Sequence, residues 1–291
     1  MQPVQRGSAQ QPKGVARIPP SGTEPEAVQP DHTAGRGNGL RDLLGAGQLA
    51  RERTWSAAVG RRPVAARMVA FVAGKGGVGT TSAATGLALT IASFWPGEVA
   101  LADTRNGTAS LGLRIGGVPA PHAAAFAAGV VEPLRVDGVT IVDGAPWDTP
   151  LTRPTLARVI ADLRDDHLFT ILDVGDDAGD VGHGALARVD KVVVVTTRAP
   201  DAIAATQRTL QRLHGIDEAR AGTAVVAVTG VRRLGRGGRR DQADVPEAAR
   251  VVRLPWDASL DAGAAMDPER WRRATRAAFL ELAAVISSDP S

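Results

Sequence analysis

Residues 68–89 read MVAFVAGKGGVGTTSAATGLAL, an apolar run that ends at Ala73, a turn with four glycines in six residues, and a stretch of small and apolar residues with helical character. Four residues separate Gly74 from Gly79 and Thr80-Thr81 follow, which is the spacing G-x-x-x-x-G-K-[ST] with one departure. A loop of Gly74, Lys75, Gly76, Gly77, Val78 and Gly79 turns successive backbone N–H groups inward, where they cradle phosphate oxygens. The helix expected from about Thr81 directs the positive end of its dipole at the same anion. Thr81 stands where the hydroxyl ligand of Mg²⁺ belongs in such a loop. Thr80 replaces the lysine that usually reaches the β- and γ-phosphates. The competing reading is a glycine-rich turn that binds nothing, and the flanking strand and helix argue against it.

Working outward, short apolar runs alternate with helical patterns. The runs at 68–73, 98–103, 138–143, 168–174, 191–197, 223–229 and 250–254 read as strands, and 81–95, 151–164, 201–214 and 268–286 as helices. The strand runs are continuously apolar rather than alternating, as expected of strands covered on both faces. Strand and helix in alternation predict an α/β fold, a doubly wound, mainly parallel sheet in three αβα layers. Residues 1–39 hold six Pro, six Gly and five Gln with few large apolar residues, so a disordered tail is expected there. Residues 40–66 are expected to form a short helix and linker, packed on the chain's own domain or docked on a partner or membrane surface, and 67–291 the nucleotide-binding domain.

The net charge of +3 is unevenly placed. Residues 1–66 carry nine Lys and Arg against five Asp and Glu, so the basic excess belongs to the tail and the remainder is near neutral. Of the 34 basic residues 31 are Arg, which raises the isoelectric point without pointing to DNA. The absence of Cys excludes disulfides and thiolate chemistry, and the five His show no metal-ligand spacing. No 18-residue apolar run and no signal-type apolar core in the first twenty residues occur, so a cytoplasmic chain is expected.

The stretch Lys75-Gly76-Gly77-Val78-Gly79 resembles the deviant Walker A loop, KGGxGK[ST], of the MinD/ParA family of ATPases. The GGVGT form is similar to the septum-site and pilus-assembly (CpaE/TadZ-like) branch. Other landmarks fall in family order: LAD (101–103) where switch I begins, ILDVG (171–175) as the Walker B strand and start of switch II, and VVRLPWDASLDAG (251–263) as the late loop beside the base. The resemblance implies ATP and Mg²⁺ as ligands, with Thr81 and Asp173 at the metal and Asp103 in switch I. It places Pro255 and Asp257 near the nucleotide and implies a homodimer that closes around two ATP molecules. Lys75 would be the signature lysine that reaches across to the partner's nucleotide. Such proteins work in the cytoplasm or at the periphery of the membrane or nucleoid, as positioning or assembly factors.

The sequence departs from the family at Thr80 and at two further places. Arg105 stands where active relatives carry a second switch I aspartate, and Thr229 about where the family has an adenine-contacting Asn. Loss of one preorganised electrostatic contact lowers a rate by ~10²–10³, so hydrolysis is expected to be weak or absent while nucleotide binding survives. The alternatives are a working ATPase in partitioning, septum placement or secretion, and a scaffold that ignores nucleotide. Arg105 is either replacement positive charge at the phosphates or an ordinary surface arginine, the second being the plainer expectation. Arg232, Arg233, Arg236, Arg239 and Arg240 form a loop suited to nucleic-acid phosphates, anionic lipid or an acidic partner, or else a solvated loop. Asp176, Asp177 and Asp180 suggest a solvated switch II. Trp271, Thr275, Ala278, Leu282 and Ile286 recur at helical spacing and are expected to face the core rather than a membrane. A protein partner would use the N-terminal tail or an exposed face.

Overall fold

The computed structural model describes residues 38–107, 111–177, 179–231, 250–261, 263 and 265–288; the side chains of 38–45, 231 and 261 are outside that description. The expected tail (1–39) thus falls almost wholly outside the described residues, and the arginine loop (232–240) entirely so.

Eight strands form one sheet: β1 (Arg67–Ala73), β2 (Val99–Asp103), β3 (Leu134–Val136), β4 (Val139–Val142), β5 (Phe169–Gly175), β6 (Lys191–Thr196), β7 (Val225–Val231) and β8 (Arg250–Pro255). Their order is β3-β4-β2-β5-β1-β6-β7-β8, and every pairing is parallel except β3 with β4. The helices are α1 (Asn38–Val59), α2 (Thr80–Ala92), α3 (Leu111–Ile115), α4 (Ala123–Ala127), α5 (Arg153–Asp166), α6 (Asp180–Leu186), α7 (Pro200–Ile216), α8 (Glu218–Gly222), α9 (Ala258–Asp261) and α10 (Arg273–Ser287).

The period-2 geometry of a strand sends successive side chains to opposite faces, and the two cores follow from it. Val69, Phe71, Leu101, Ile171, Val193 and Val195 pack with α2 and α10 on one side. Met68, Ala70, Ala102, Leu172, Val192 and Val194 pack with α5 on the other. The predicted αβα layering is what the structure shows.

Two contacts set the layer behind the glycine-rich loop. Gly86 in α2 lies against the Phe279 ring of α10, and a Cβ at Gly86 would stand 2.2 Å from that ring. Beyond the far end of α10, the buried ammonium of Lys191, at the start of β6, donates to the carbonyls of Val285 and Ser288, each at 2.7 Å. A cation there satisfies carbonyls that the helix end leaves open. Burial, with Arg67 and Arg250 nearby, lowers the Lys191 pKa to about 8.

Trp271, Thr275, Ala278, Leu282 and Ile286 are all buried, so that stripe is core. From Ala46 onward α1 belongs to the same compact unit as the sheet. Its last turns pack through Trp55, Ala58 and Val59, and Trp95 Nε1 donates to the Val59 carbonyl. Glu52 pairs with Arg273 at 3.3 Å. The last turns of this helix therefore pack on the sheet's unit, while residues 46–51 are exposed.

Candidate functional site

β1 lies between β5 and β6, and the helices that follow β1 and β5 pack on opposite faces of the sheet; open α/β sheets place ligands in the crevice at the C-terminal strand ends where this happens. The glycine-rich loop runs from the end of β1 into α2 at that edge. Gly77 and Gly79 hold φ of 78° and 90°, in the left-handed region that strongly favours glycine. Gly79 is the N-cap of α2, so the loop delivers the helix's open N–H groups to the crevice. Gly74 is required by proximity instead, since a Cβ there would lie 2.4 Å from the Ala205 carbonyl oxygen of α7.

Two cavities flank the loop and share Gly77, Gly79, Ser82 and Leu260 in their walls. One, of about 300 Å³, is lined by Lys75, Gly76, Thr80, Thr81, Arg105, Arg114, Gly175 and Asp176. The other, of about 220 Å³, is lined by Val78, Thr197, Thr229, Pro255, Trp256, Asp257 and Phe279 among others. A charged compartment that continues into a largely apolar one suits the phosphates and the base of a nucleotide.

In the apolar compartment, the Thr229 hydroxyl lies 2.7 Å from the Val78 carbonyl and 3.1 Å from that of Thr196. Its single proton is committed to the backbone, where it ties β7 to the loop. Asp257 belongs to the wall, but its carboxylate faces inward. Oδ1 accepts from the Ser259 N–H and hydroxyl, and Oδ2 from the Arg272 N–H and the Thr275 hydroxyl. Burial pushes this carboxyl up, yet those four donors outweigh it and hold the pKa at about 2. Asp257 fixes the loop that carries Trp256, whose ring lies under the Arg272 guanidinium at 5.3 Å.

In the charged compartment, Lys75 Nζ pairs with Asp201 at the start of α7, both at the surface, and holds that carboxyl below its usual range. Arg114 of α3 was not anticipated from sequence. Its neighbourhood is set by Asp143 at the end of β4, whose carboxylate accepts from the N–H groups of Leu111, Gly112 and Ala120. Burial pushes the Asp143 carboxyl up, against those three donors.

The centre of the compartment departs most from expectation. Asp103 and Asp173 are register partners at the ends of β2 and β5, and both are buried. The Thr81 hydroxyl donates to Asp173 Oδ2 at 2.6 Å. Arg105 folds back over them: Nε and Nη2 donate to the two oxygens of Asp103 at 2.9 and 2.8 Å. Nη2 also lies 2.9 Å from Asp173 Oδ2 and 3.1 Å from Thr81 Oγ1. Arg105 is therefore no ordinary surface arginine, and the reason lies on another strand. Gly175, at φ 62°, leaves the space the arginine stem crosses, and a Cβ there would stand 2.6 Å from Arg105 Cδ.

Burial disfavours the guanidinium's charge, but the Asp103 hydrogen bond and the two carboxylates dominate and raise its pKa. Burial raises the Asp173 carboxyl to about 6, against the lowering effect of Arg105.

This arrangement decides whether a divalent ion fits. Mg²⁺ binds oxygens at about 2.0–2.1 Å in a near-ideal octahedron. The two protein oxygens expected to hold it, Thr81 Oγ1 and Asp173 Oδ2, are already engaged by one guanidinium nitrogen. The remaining Asp173 oxygen, Oδ1, is buried without a hydrogen-bond partner, beneath the cavity wall. As arranged, the residues do not fit the metal. Among the described residues no other group of three or more His, Asp or Glu side chains is disposed to hold one.

Comparison with solved structures gives the same frame. The cell division ATPase MinD of Pyrococcus furiosus superposes with a TM-score of 0.59 at 20% identity, over 76% of this chain and 98% of that one. A ParA family ATPase from Chlorobium tepidum gives 0.61 at 17%, over 75% and 98%. An ATP complex of a McdA variant from Cyanothece gives 0.58 at 14%, over 75% and 96%. The fold is that of the MinD/ParA P-loop ATPases. At these identities the likeness is one of fold. No protein-family model matches the sequence, and neither does any curated protein. Within this MinD/ParA fold, Lys75, Gly76, Gly77, Val78, Gly79, Thr80, Thr81, Pro255 and Asp257 all border the two cavities, Gly74 supports them from behind, and Asp103 and Asp173 lie underneath. Asp177 is not free in solvent: it accepts from the N–H groups of Gly179 and Gly182 at 2.6 and 3.0 Å and so caps α6. Asp180 pairs with Arg153, and Asp176 lines the charged compartment.

Proposed function

We propose that this chain is a nucleotide-binding switch of the MinD/ParA type, one that binds ATP with little or no hydrolysis and acts as a positioning or assembly factor. The observation that carries the reading is the pair of cavities meeting at Gly77, Gly79 and Ser82, charged on one side of the loop and apolar on the other. The backbone cradle and the α2 N-terminus hold the phosphates, and Pro255 and Trp256 border the base. Hydrolysis is opposed by Thr80, which offers no ammonium at the γ-phosphate. It is opposed also by Arg105, which takes the place of a carboxylate and so brings no group to position a water.

The working-ATPase alternative is less well supported for the same reason. Dimerisation would use Lys75: its ion pair with Asp201 lies at the surface, where such pairs contribute little, so it can be released toward a partner's nucleotide. Equilibrium titration with ATP, with sedimentation in the same samples, tests the reading. Saturable binding and a nucleotide-dependent shift from monomer to dimer are expected. No binding at millimolar ATP would overturn it.

A further inference from the structure

We infer that Arg105 stands in for the divalent cation, so that this chain binds a nucleoside triphosphate without metal. Granted the nucleotide-binding reading, on which this rests, a cation is needed where the phosphate cavity meets Thr81 and the ends of β2 and β5. A tethered guanidinium fills that place. It contacts the same two oxygens a metal would use, Thr81 Oγ1 and Asp173 Oδ2, and a bidentate clasp on Asp103 fixes its plane. Forked Arg–carboxylate pairs are directional and strong, so the position is preorganised.

The fork is not used up by these bonds. A guanidinium carries five N–H donors; Nε and Nη2 make every Arg105 side-chain bond described here, and Nη1 makes none of them. Arg105 lines the cavity together with Lys75, Arg114 and the open N-terminus of α2. Among the described residues the one carboxylate in that wall is Asp176, while Asp103 and Asp173 lie beneath, paired to the arginine.

Competition also favours the arginine. A divalent ion entering here would have to displace Nη2 from Thr81 Oγ1 and Asp173 Oδ2, the two oxygens it would itself use. A Mg²⁺ already carried by the nucleotide gains no protein oxygen on arrival. The divalent-ion dependence of this site is therefore lost, and the cation is always present because it is part of the chain.

The test uses the full-length chain and a fluorescent ATP analogue, titrated once in EDTA and once in Mg²⁺. Equal affinity in the two buffers is expected. Binding that requires Mg²⁺ overturns the inference and leaves the nucleotide reading standing. Binding in neither buffer overturns both.

Arg105→Ala is expected to weaken binding in EDTA by about tenfold to a hundredfold, the loss of one contact to a charged group, and to create a Mg²⁺ dependence that the wild type lacks. A folded Arg105→Ala protein that binds in EDTA as tightly as wild type would also overturn the inference. Because that variant takes the guanidinium away from two buried carboxylates, Arg105→Lys is measured beside it. It keeps the charge and should retain metal-free binding more fully than the alanine variant, and equal loss in both variants would count against the inference. Should neither variant fold, the wild-type comparison in the two buffers still decides.

Discussion

Arg105 grips both carboxylate oxygens of Asp103, the residue two positions before it, through Nε at 2.9 Å and Nη2 at 2.8 Å. The Arg105 N–H donates to the same carboxylate at 2.9 Å, so the chain leaving β2 is locked to its own strand end. The arginine also pairs with two buried acids that are register partners across β2 and β5. Removing one partner of a buried ion pair typically costs about 3–5 kcal/mol, because the remaining charge is left without compensation. Arg105→Ala should lose an amount of that order in urea denaturation, and Arg105→Ala with Asp173→Asn should recover part of it. Additive losses in the double variant would show that the two side chains do not interact.

Restoring the lysine alone should not restore catalysis. With Thr80→Lys, Arg105 still holds Thr81 and Asp173, and phosphate release is expected to stay at background with Mg²⁺ present. Thr80→Lys combined with Arg105→Asp frees the two oxygens and supplies a second acid. It should raise turnover by about a hundredfold to a thousandfold, the scale of a single preorganised electrostatic contact. Turnover in the single Thr80→Lys variant would show that Arg105 is not the obstacle.

Asp257 supplies a pH-dependent part of stability. Its folded pKa of about 2 lies below the ordinary value of 3.8, so the folded state prefers the ionised form more than the unfolded chain does. The stabilisation is complete above about pH 4–5 and is lost as pH falls through about 2, amounting to roughly 2 kcal/mol from the linkage relation. Asp257→Asn should be less stable than wild type at pH 7, and the gap should narrow between pH 4 and 2. A gap constant over that range, by urea midpoints, would refute the assignment.

Gly86→Ala sets two effects against each other. Alanine favours a helix interior by about 1 kcal/mol, but the added methyl would lie within 2.2 Å of the Phe279 ring, itself fully buried. Overpacking a tight core costs about 1–3 kcal/mol, so a net loss of stability is expected, with partial recovery in Gly86→Ala with Phe279→Leu. A stabilised Gly86→Ala protein would mean that α2 and α10 can separate without penalty.

The main strands were legible because each is buried on both faces and so is apolar throughout, as KVVVVT at β6 shows. β3 was not: it has three residues, half exposed, and pairs antiparallel at the sheet edge, so neither length nor apolarity marks it. α6 was missed because DVGHGAL has two glycines and its start depends on the Asp177 cap. The glycine-rich loop was legible because glycines at left-handed φ leave a signature that other residues cannot imitate. The role of Arg105 was not, since it needs Asp103, Thr81, Asp173 and Gly175, four positions from three separate stretches of chain. The fold, and nothing nearer in sequence, brings them together.

The capping of α10 by Lys191 has a consequence for how this chain could reach a surface. Detaching that helix would expose Trp271, Phe279, Leu282, Val285 and Ile286, all now buried, at about 1.5–3 kcal/mol for each side chain. The total is on the order of 10 kcal/mol, comparable with the whole stability of an ordinary domain. It would also strip Phe279 from the wall of the apolar cavity and take from the Lys191 ammonium the two carbonyls to which it donates. Adsorption to a bilayer through α10 would rebury those side chains in lipid but would uncover the face of the core that they now cover. Any recruitment that leaves this protein folded has to be carried by other parts of the chain.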